Sequence, residues 1–300
     1  MHPIDLNYQG IPDAASVFLL KSDDGPVLVE SGPMSTLDML KAKLHRLGVA
    51  PESIQHIFLT HIHLDHAGAA GWFADHGATI HVHPRGAAHL IDPTRLNDSA
   101  ARVYGDRLIP LLGAMHAVPE PQVNIVADHE TIDLPGLSLR AIHTPGHASH
   151  HYAWAMDLDG ESVCFTGDIA GMRIPSTDCV TLPMAPPEFD HAMWHASIDR
   201  LDAAGFDRLI LTHSNVVDDP TAHFSRLRAR LDDEVAELQT LFDITSIDDD
   251  ERTARFLKHV LRHAASVGVP AYLATKHLTL GHAAMNVMGI RRMLRREAPS

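Results

Sequence analysis

The sequence predicts a chain of mixed α and β structure that carries its chemistry on a loop between a strand and a helix. Three observations lead there. Residues 54–59 form a short run with β-branched and aromatic side chains, the pattern of a buried strand. They lead into Leu59-Thr60-His61-Ile62-His63-Leu64-Asp65-His66-Ala67-Gly68, after which residues 67–73 read as the start of a helix. Strand-like and helix-like segments then alternate along the rest of the chain.

In order, residues 16–20 and 27–30 read as strands joined by Asp23-Asp24-Gly25, a hairpin turn signal. Residues 34–47 read as a helix with Leu37, Leu40, Leu44 and Leu47 on one face and Gly48 as its stop. Residues 78–82 form another strand. His81 and His83 alternate there as His61 and His63 do, but Pro84 follows them, so they read as strand-end residues. Residues 84–118 are helical and irregular. Residues 131–134 and 137–142 form a hairpin about Pro135-Gly136. It runs into His143-Thr144-Pro145-Gly146-His147-Ala148-Ser149-His150-His151. Strands at 152–156 and 162–166 follow, then Gly167-Asp168. Residues 172–187, rich in Pro and Met, read as a long loop. A helix over 188–204, a strand over 206–211 ending at Thr212-His213-Ser214, and a long charged helix over 219–243 complete the main body.

Residues 245–300 read as an added helical segment. Ser246 with Asp249 has the spacing of a helix N-terminal cap, and 251–265 has helical periodicity. The last helix ends in Arg291-Arg292-Met293-Leu294-Arg295-Arg296, cations that suit a helix C-terminus.

Composition narrows the function. The 300 residues are 45% hydrophobic, enough for a sizeable core, and carry 24 Lys and Arg against 38 Asp and Glu, a net charge of −14. That balance argues against nucleic acid as the main partner, which needs a basic footprint. The start, Met1-His2-Pro3-Ile4-Asp5, lacks the basic-then-apolar pattern of a signal peptide, and no apolar run is long enough for a bilayer. A cytoplasmic protein with no membrane partner is expected. Two cysteines are no disulfide framework. Cys164 reads as a buried small hydrophobe and Cys179 as a loop residue that solvent could reach.

A lone histidine says little in a chain with 24 of them. The spaced set says more. In an extended segment His61 and His63 point the same way, whereas Asp65 and His66 follow where the chain turns. One loop can therefore face two points in space with imidazole and carboxylate, the ligands that suit zinc, iron or manganese.

His61-x-His63-x-Asp65-His66 resembles the signature of the metallo-β-lactamase superfamily, which includes glyoxalase II, lactonases and phosphodiesterases. The resemblance implies an α+β fold, the four-layer αββα sandwich, over residues 1–243, with 244–300 as a C-terminal helical extension. It also implies further ligands: His147 within Thr-Pro-Gly-His, Asp168 as a bridge, and His213. One metal would then take His61, His63, His147 and Asp168, and the other Asp65, His66, His213 and Asp168. His143, His150 and His151 are weaker candidates. His150 is expected near the site and His151 in a supporting role. Where the family commonly has Asp followed by Gly, this chain has Glu30-Ser31-Gly32, and Ser214-Asn215 follows the last ligand where relatives often carry an aromatic residue or Gly. Asp168 replaces the Cys of some true β-lactamases, which favours glyoxalase II-like or lactonase-like branches.

The implied reaction is hydrolysis of a small-molecule ester, thioester, lactone or phosphoester by a metal-bridging hydroxide, with Asp65 also accepting a proton. Two divalent ions are expected, zinc first, with iron or manganese fitting the same ligands. His63, in place of Glu, argues against the diiron flavoproteins of the superfamily. The alternatives are a one-iron persulfide dioxygenase using His61, His147 and Asp168, a β-lactamase, and a binding module, which would be expected to lose ligands. Tyr272, Leu273, His277, Leu278, Leu280, Met285, Met288 and Met293 give the extension apolar positions in need of cover. They would pack beside the metal cleft opposite the 172–187 loop, or form a homodimer contact.

Overall fold

A computed structural model describes residues 1–213, 215–278 and 282–297; Ser214 and Leu280, both singled out above, lie outside the described residues. The chain forms two compact units, Met1–His143 with His150–Gly167, and Thr144–Ser149 with Asp168–Ser300.

The first unit begins β1 (His2–Asp5), β2 (Ser16–Ser22), β3 (Gly25–Val29), α1 (Leu37–Arg46), β4 (His56–Phe58), α2 (Leu64–Ala67) and α3 (Ala70–Asp75). It continues with β5 (Thr79–Val82), α4 (Pro84–Ile91), α5 (Thr94–Tyr104), α6 (Leu108–Leu111) and β6 (Val123–Ile125). β1 to β6 lie in sequence order in one sheet, antiparallel from β1 to β3 and parallel from β3 to β6. Alternation along the strands sorts the side chains. Val17, Leu19, Leu28, Ile57 and Ile80 share a core with Leu37, Leu40 and Leu44 of α1, Phe73 of α3 and Leu90 of α4. Phe18 and Phe58 face the other way. They meet Phe165 at 5.4 Å and Trp154 at 5.0 Å between ring centroids. Those partners belong to an antiparallel meander of β7 (Thr131–Leu134), β8 (Leu137–His143), β9 (Tyr152–Leu158) and β10 (Glu161–Gly167).

Some boundaries move for local reasons. The strand expected over 54–59 is only His56–Phe58, because the chain beyond it is held by β9: Trp154 Nε1 donates to the Leu59 carbonyl at 2.9 Å and Tyr152 N to that of Thr60 at 2.7 Å. The helix expected from residue 67 starts at Leu64, with extended His63 at its N-cap. The first turn of the 34–47 helix is 3-10, over Met34–Thr36. His81 is structural. Its ring stacks on Phe58, Asn124 Nδ2 donates to its Nδ1 at 2.9 Å, and its Nε2 is 3.0 Å from His56 Nδ1. His83 caps α4 by accepting from Arg85 N at 3.0 Å.

The second unit holds β11 (Met172–Arg173), β12 (Val180–Thr181), α7 (His191–Ala204), β13 (Arg208–Leu211), β14 (Asn215–Val217), α8 (Pro220–Asp243), α9 (Asp249–Ser266), α10 (Ala271–Leu278) and α11 (His282–Glu297). The 172–187 segment is not a plain loop, since β11 and β12 pair antiparallel. That ribbon buries Cys179, contrary to the expected exposure; both cysteines are buried and unbridged. The buried stripe of α8 is Phe224, Leu227, Leu231, Val235, Leu238 and Leu241. α9 packs on it through Phe256, Val260 and Ala264, and α11 packs on α9. The α9 cap is Asp248, which accepts from Glu251 N at 2.9 Å, rather than the Ser246–Asp249 pair; Asp249 instead binds Arg252 and Arg291.

The extension touches the 172–187 segment. Asn286 of α11 donates to the Leu182 carbonyl at 2.8 Å and accepts from Met184 N at 2.9 Å. Arg296 donates to the carbonyls of Pro187 and Phe189. Leu278 and Met293 are buried, whereas Tyr272 is 75% exposed. Among the described residues no helix is long and apolar enough to cross a membrane.

Candidate metal centre

The first unit carries four of the expected ligands on the segment that leaves β4. His61 and His66 are fully buried, and His63 and Asp65 are half-buried. His61 Nε2 and His63 Nδ1 face each other at 2.9 Å, and His66 Nε2 lies 3.7 Å from Asp65 Oδ2. Both pairs lie on one short segment, and the His61 and His66 rings are 4.0 Å apart between centroids.

Glu30 determines how this segment is presented. Its backbone is left-handed, φ 68°, at the end of β3. The next two residues, Ser31 and Gly32, donate from their backbone N–H groups to the His66 carbonyl at 2.8 and 3.0 Å. The buried Glu30 carboxylate accepts from His66 Nδ1 at 2.9 Å, from the Thr60 hydroxyl at 2.5 Å and from Thr60 N at 3.3 Å. The longer side chain thus reaches the ligand segment. The Thr60 hydroxyl, donating to Glu30, accepts from His61 Nδ1 at 3.0 Å. Both imidazoles carry their proton on Nδ1, so Nε2 is the lone-pair nitrogen in each.

His150 and His151 lie close by. The His150 ring centroid is 5.6 Å from that of His63, and the His151 centroid is 5.1 Å from that of His61. Gly167, with φ 49°, has room for no side chain, because a Cβ there would sit 2.5 Å from Thr60 Oγ1 and 2.7 Å from His151 Nε2. Tyr8 and Tyr104 were not found from sequence. Burial, then the charge of Asp65, pushes both phenols above their ordinary pKa. Lone tyrosines 57 and 39 residues from Asp65 give no local signal.

The second unit carries His147, Asp168 and His213. His147 follows Gly146, whose φ of 136° and close approach to the Trp194 backbone exclude a side chain. α7 holds this loop: Asp190 N donates to the Gly146 carbonyl at 2.8 Å, Ser197 Oγ to the Pro145 carbonyl at 2.5 Å, and the Trp194 ring meets His147 edge-on at 5.8 Å. His147 Nδ1 donates to the Pro183 carbonyl at 2.7 Å, which leaves Nε2 to face Asp168 Oδ2 at 3.3 Å. The other oxygen, Oδ1, lies 3.3 Å from His213 Nε2. One buried carboxylate therefore addresses two imidazoles with separate oxygens.

Among the described residues, His and Asp side chains form groups able to bind a metal ion. The donors fit that use: lone-pair nitrogens with fixed tautomers, and a carboxylate with each oxygen turned to a different imidazole.

Comparison with known proteins agrees with this picture. The metallo-β-lactamase superfamily model matches residues 10–213, and the chain belongs to that superfamily. The chain is 28% identical over 204 residues to a metallo-β-lactamase fold-containing protein, ST1585, of Sulfurisphaera tokodaii, covering 67% of this chain and 72% of that one. It is 28% identical to a hydroxyacylglutathione hydrolase of Aeromonas hydrophila over 65% of this chain and 58% of that one. It is also 28% identical to an atrochrysone carboxyl ACP thioesterase of Aspergillus fumigatus over 56% of this chain and 42% of that one, so it spans only about half the length of these two enzymes. Among solved structures, a metallo-β-lactamase family protein of Thermus thermophilus, TTHA1429, superposes with TM-score 0.66 at 21% identity, covering 98% of this chain and 92% of that one. ST1585 gives 0.60 at 23% identity, over 93% and 97%. The fold is the αββα sandwich of this superfamily.

Proposed function

We propose that the chain is a metal-dependent hydrolase of small-molecule esters, with thioesters first among them. One ion would be held by His61, His63, His147 and Asp168, and a second by Asp65, His66, His213 and Asp168. The observation that carries this reading is Asp168, whose two oxygens each lie 3.3 Å from a different imidazole, the posture of a shared ligand.

When bound, two dications, zinc in the first place, acidify water and polarise the oxygen of the electrophile. The chain's own residues supply the rest. Glu30 and Thr60 hold the tautomers of His66 and His61, and the Pro183 carbonyl holds that of His147. Asp65, half-buried at the start of α2, accepts a proton released in the reaction.

Thioesters come first because two relatives are named as thioesterases, pkgB of Emericella nidulans and the Aspergillus enzyme. The acidic charge of −14 supports a small molecule over nucleic acid. A cytoplasmic setting and a role of the 244–300 extension in substrate choice belong to the same proposal.

The test is turnover of acyl thioesters, aryl esters and lactones with and without oxygen, alongside elemental analysis. Oxygen-independent hydrolysis at two metals per chain is expected. A requirement for oxygen and a single iron would replace this reading with the dioxygenase.

A further inference from the structure

Away from the ligands above, the second unit gathers three more metal-binding side chains. His191 and His195 stand one turn apart on α7, so both imidazoles leave the same face. Asp232 comes from α8, which packs on α7. His191 Nε2 lies 3.0 Å and His195 Nε2 2.8 Å from the same atom, Asp232 Oδ1. The two rings meet edge-to-face with centroids 4.8 Å apart.

Without an ion, the two imidazoles each donate an N–H to one carboxylate oxygen. That accounts for the distances. It also brings two nitrogens and one oxygen from two helices to one point, which is the donor set of a borderline cation. Bonds of about 2.0–2.1 Å to a tetrahedral ion set ligand atoms roughly 3.3 Å apart. The two nitrogen-to-oxygen distances, 3.0 and 2.8 Å, need to open by only a few tenths of an ångström. The histidine side chains are 34% and 27% exposed, so water has access to the remaining position.

We propose that His191, His195 and Asp232 form an additional zinc-type site that clips α7 to α8. The Asp232 carboxylate offsets part of the ion's charge, whereas the N-terminal end of α7 beside His191 opposes it. The site is therefore weaker than a buried structural one and responds to free metal. Its effect falls on α7, the helix that backs the His147 loop through Trp194 and Ser197. None of this depends on the proposed hydrolase reading.

The experiment is calorimetric titration of zinc chloride into the metal-loaded, dialysed full chain. Wild type is expected to take up one further zinc per chain, with a gain of a few degrees in melting temperature at saturating zinc. His195→Ala and Asp232→Asn, each verified as folded by circular dichroism, are expected to lose that uptake and that gain. In wild type alone, zinc should shield His191 and His195 from imidazole acylation, read by peptide mass spectrometry. Equal zinc uptake by wild type and both variants overturns the proposal, as does acylation of the two histidines unchanged by zinc.

Discussion

The Glu30 carboxylate accepts a 2.9 Å hydrogen bond from His66 Nδ1, with both side chains fully buried. The bond fixes which nitrogen of His66 carries the proton, and so which one can serve as a ligand. Glu30→Gln keeps the size but offers an amide that can donate to His66 and reverse its tautomer. Metal affinity is expected to fall by about 10- to 100-fold, measured by competition with a chromogenic chelator. Unchanged affinity would show that Glu30 does not control this ligand.

Asp168 and His213 should differ in kind when removed. Asp168→Ala takes away the carboxylate that faces both His147 and His213 and is expected to lower occupancy at both ion positions. His213→Ala should mainly empty one. Elemental analysis of the two variants beside wild type reads the difference; full activity with one metal per chain would end the two-ion proposal.

Asn286 is expected to matter although it lies far along the chain from every proposed ligand. It holds both Leu182 and Met184, which flank the carbonyl that orients His147. Asn286→Ala leaves a buried N–H and C=O without this partner and should cost about 2 kcal/mol or more. A lowered urea midpoint together with weakened metal binding is the expected result. Lost stability with unchanged metal affinity would confine Asn286 to a packing role.

Buried histidines give the fold an acid limit. Burial, with help from Arg173 and Arg226, pulls His223 down to about 4 despite its hydrogen bond to the Ala170 carbonyl. The unfolded chain titrates near 6.5, so below that pH it binds more protons than the folded one. The His223 contribution is complete above about pH 6.5 and is lost as pH falls toward 4, by about 3 kcal/mol in all. His223→Gln keeps a donor for Ala170 and removes the titration. Chemical denaturation from pH 7.5 to 4 should show a shallower loss in the variant; identical slopes would assign the acid limit to other groups.

Local pattern was enough for much of this protein. The alternation of His61 and His63, the turn at Asp65-His66 and the Pro-Gly ahead of His147 are short-range features, set by strand and turn geometry, and so are the apolar stripes of α1 and α8. The sequence therefore determined the strand-to-helix setting of the first four proposed ligands, while His147, Asp168 and His213 were implied by the family resemblance. Only the tertiary structure decided what lies around them. Glu30 meets His66, the Pro183 carbonyl meets His147, Asn286 clasps Leu182 and Met184, and the charge of Asp65 is felt by Tyr8 and Tyr104, all across gaps of tens of residues. It also decided that Cys179 is buried, because a two-stranded ribbon forms where composition suggested a bare loop. Such contacts follow from which segments pack together, and a packing partner far along the chain leaves no periodic mark on the residues it covers.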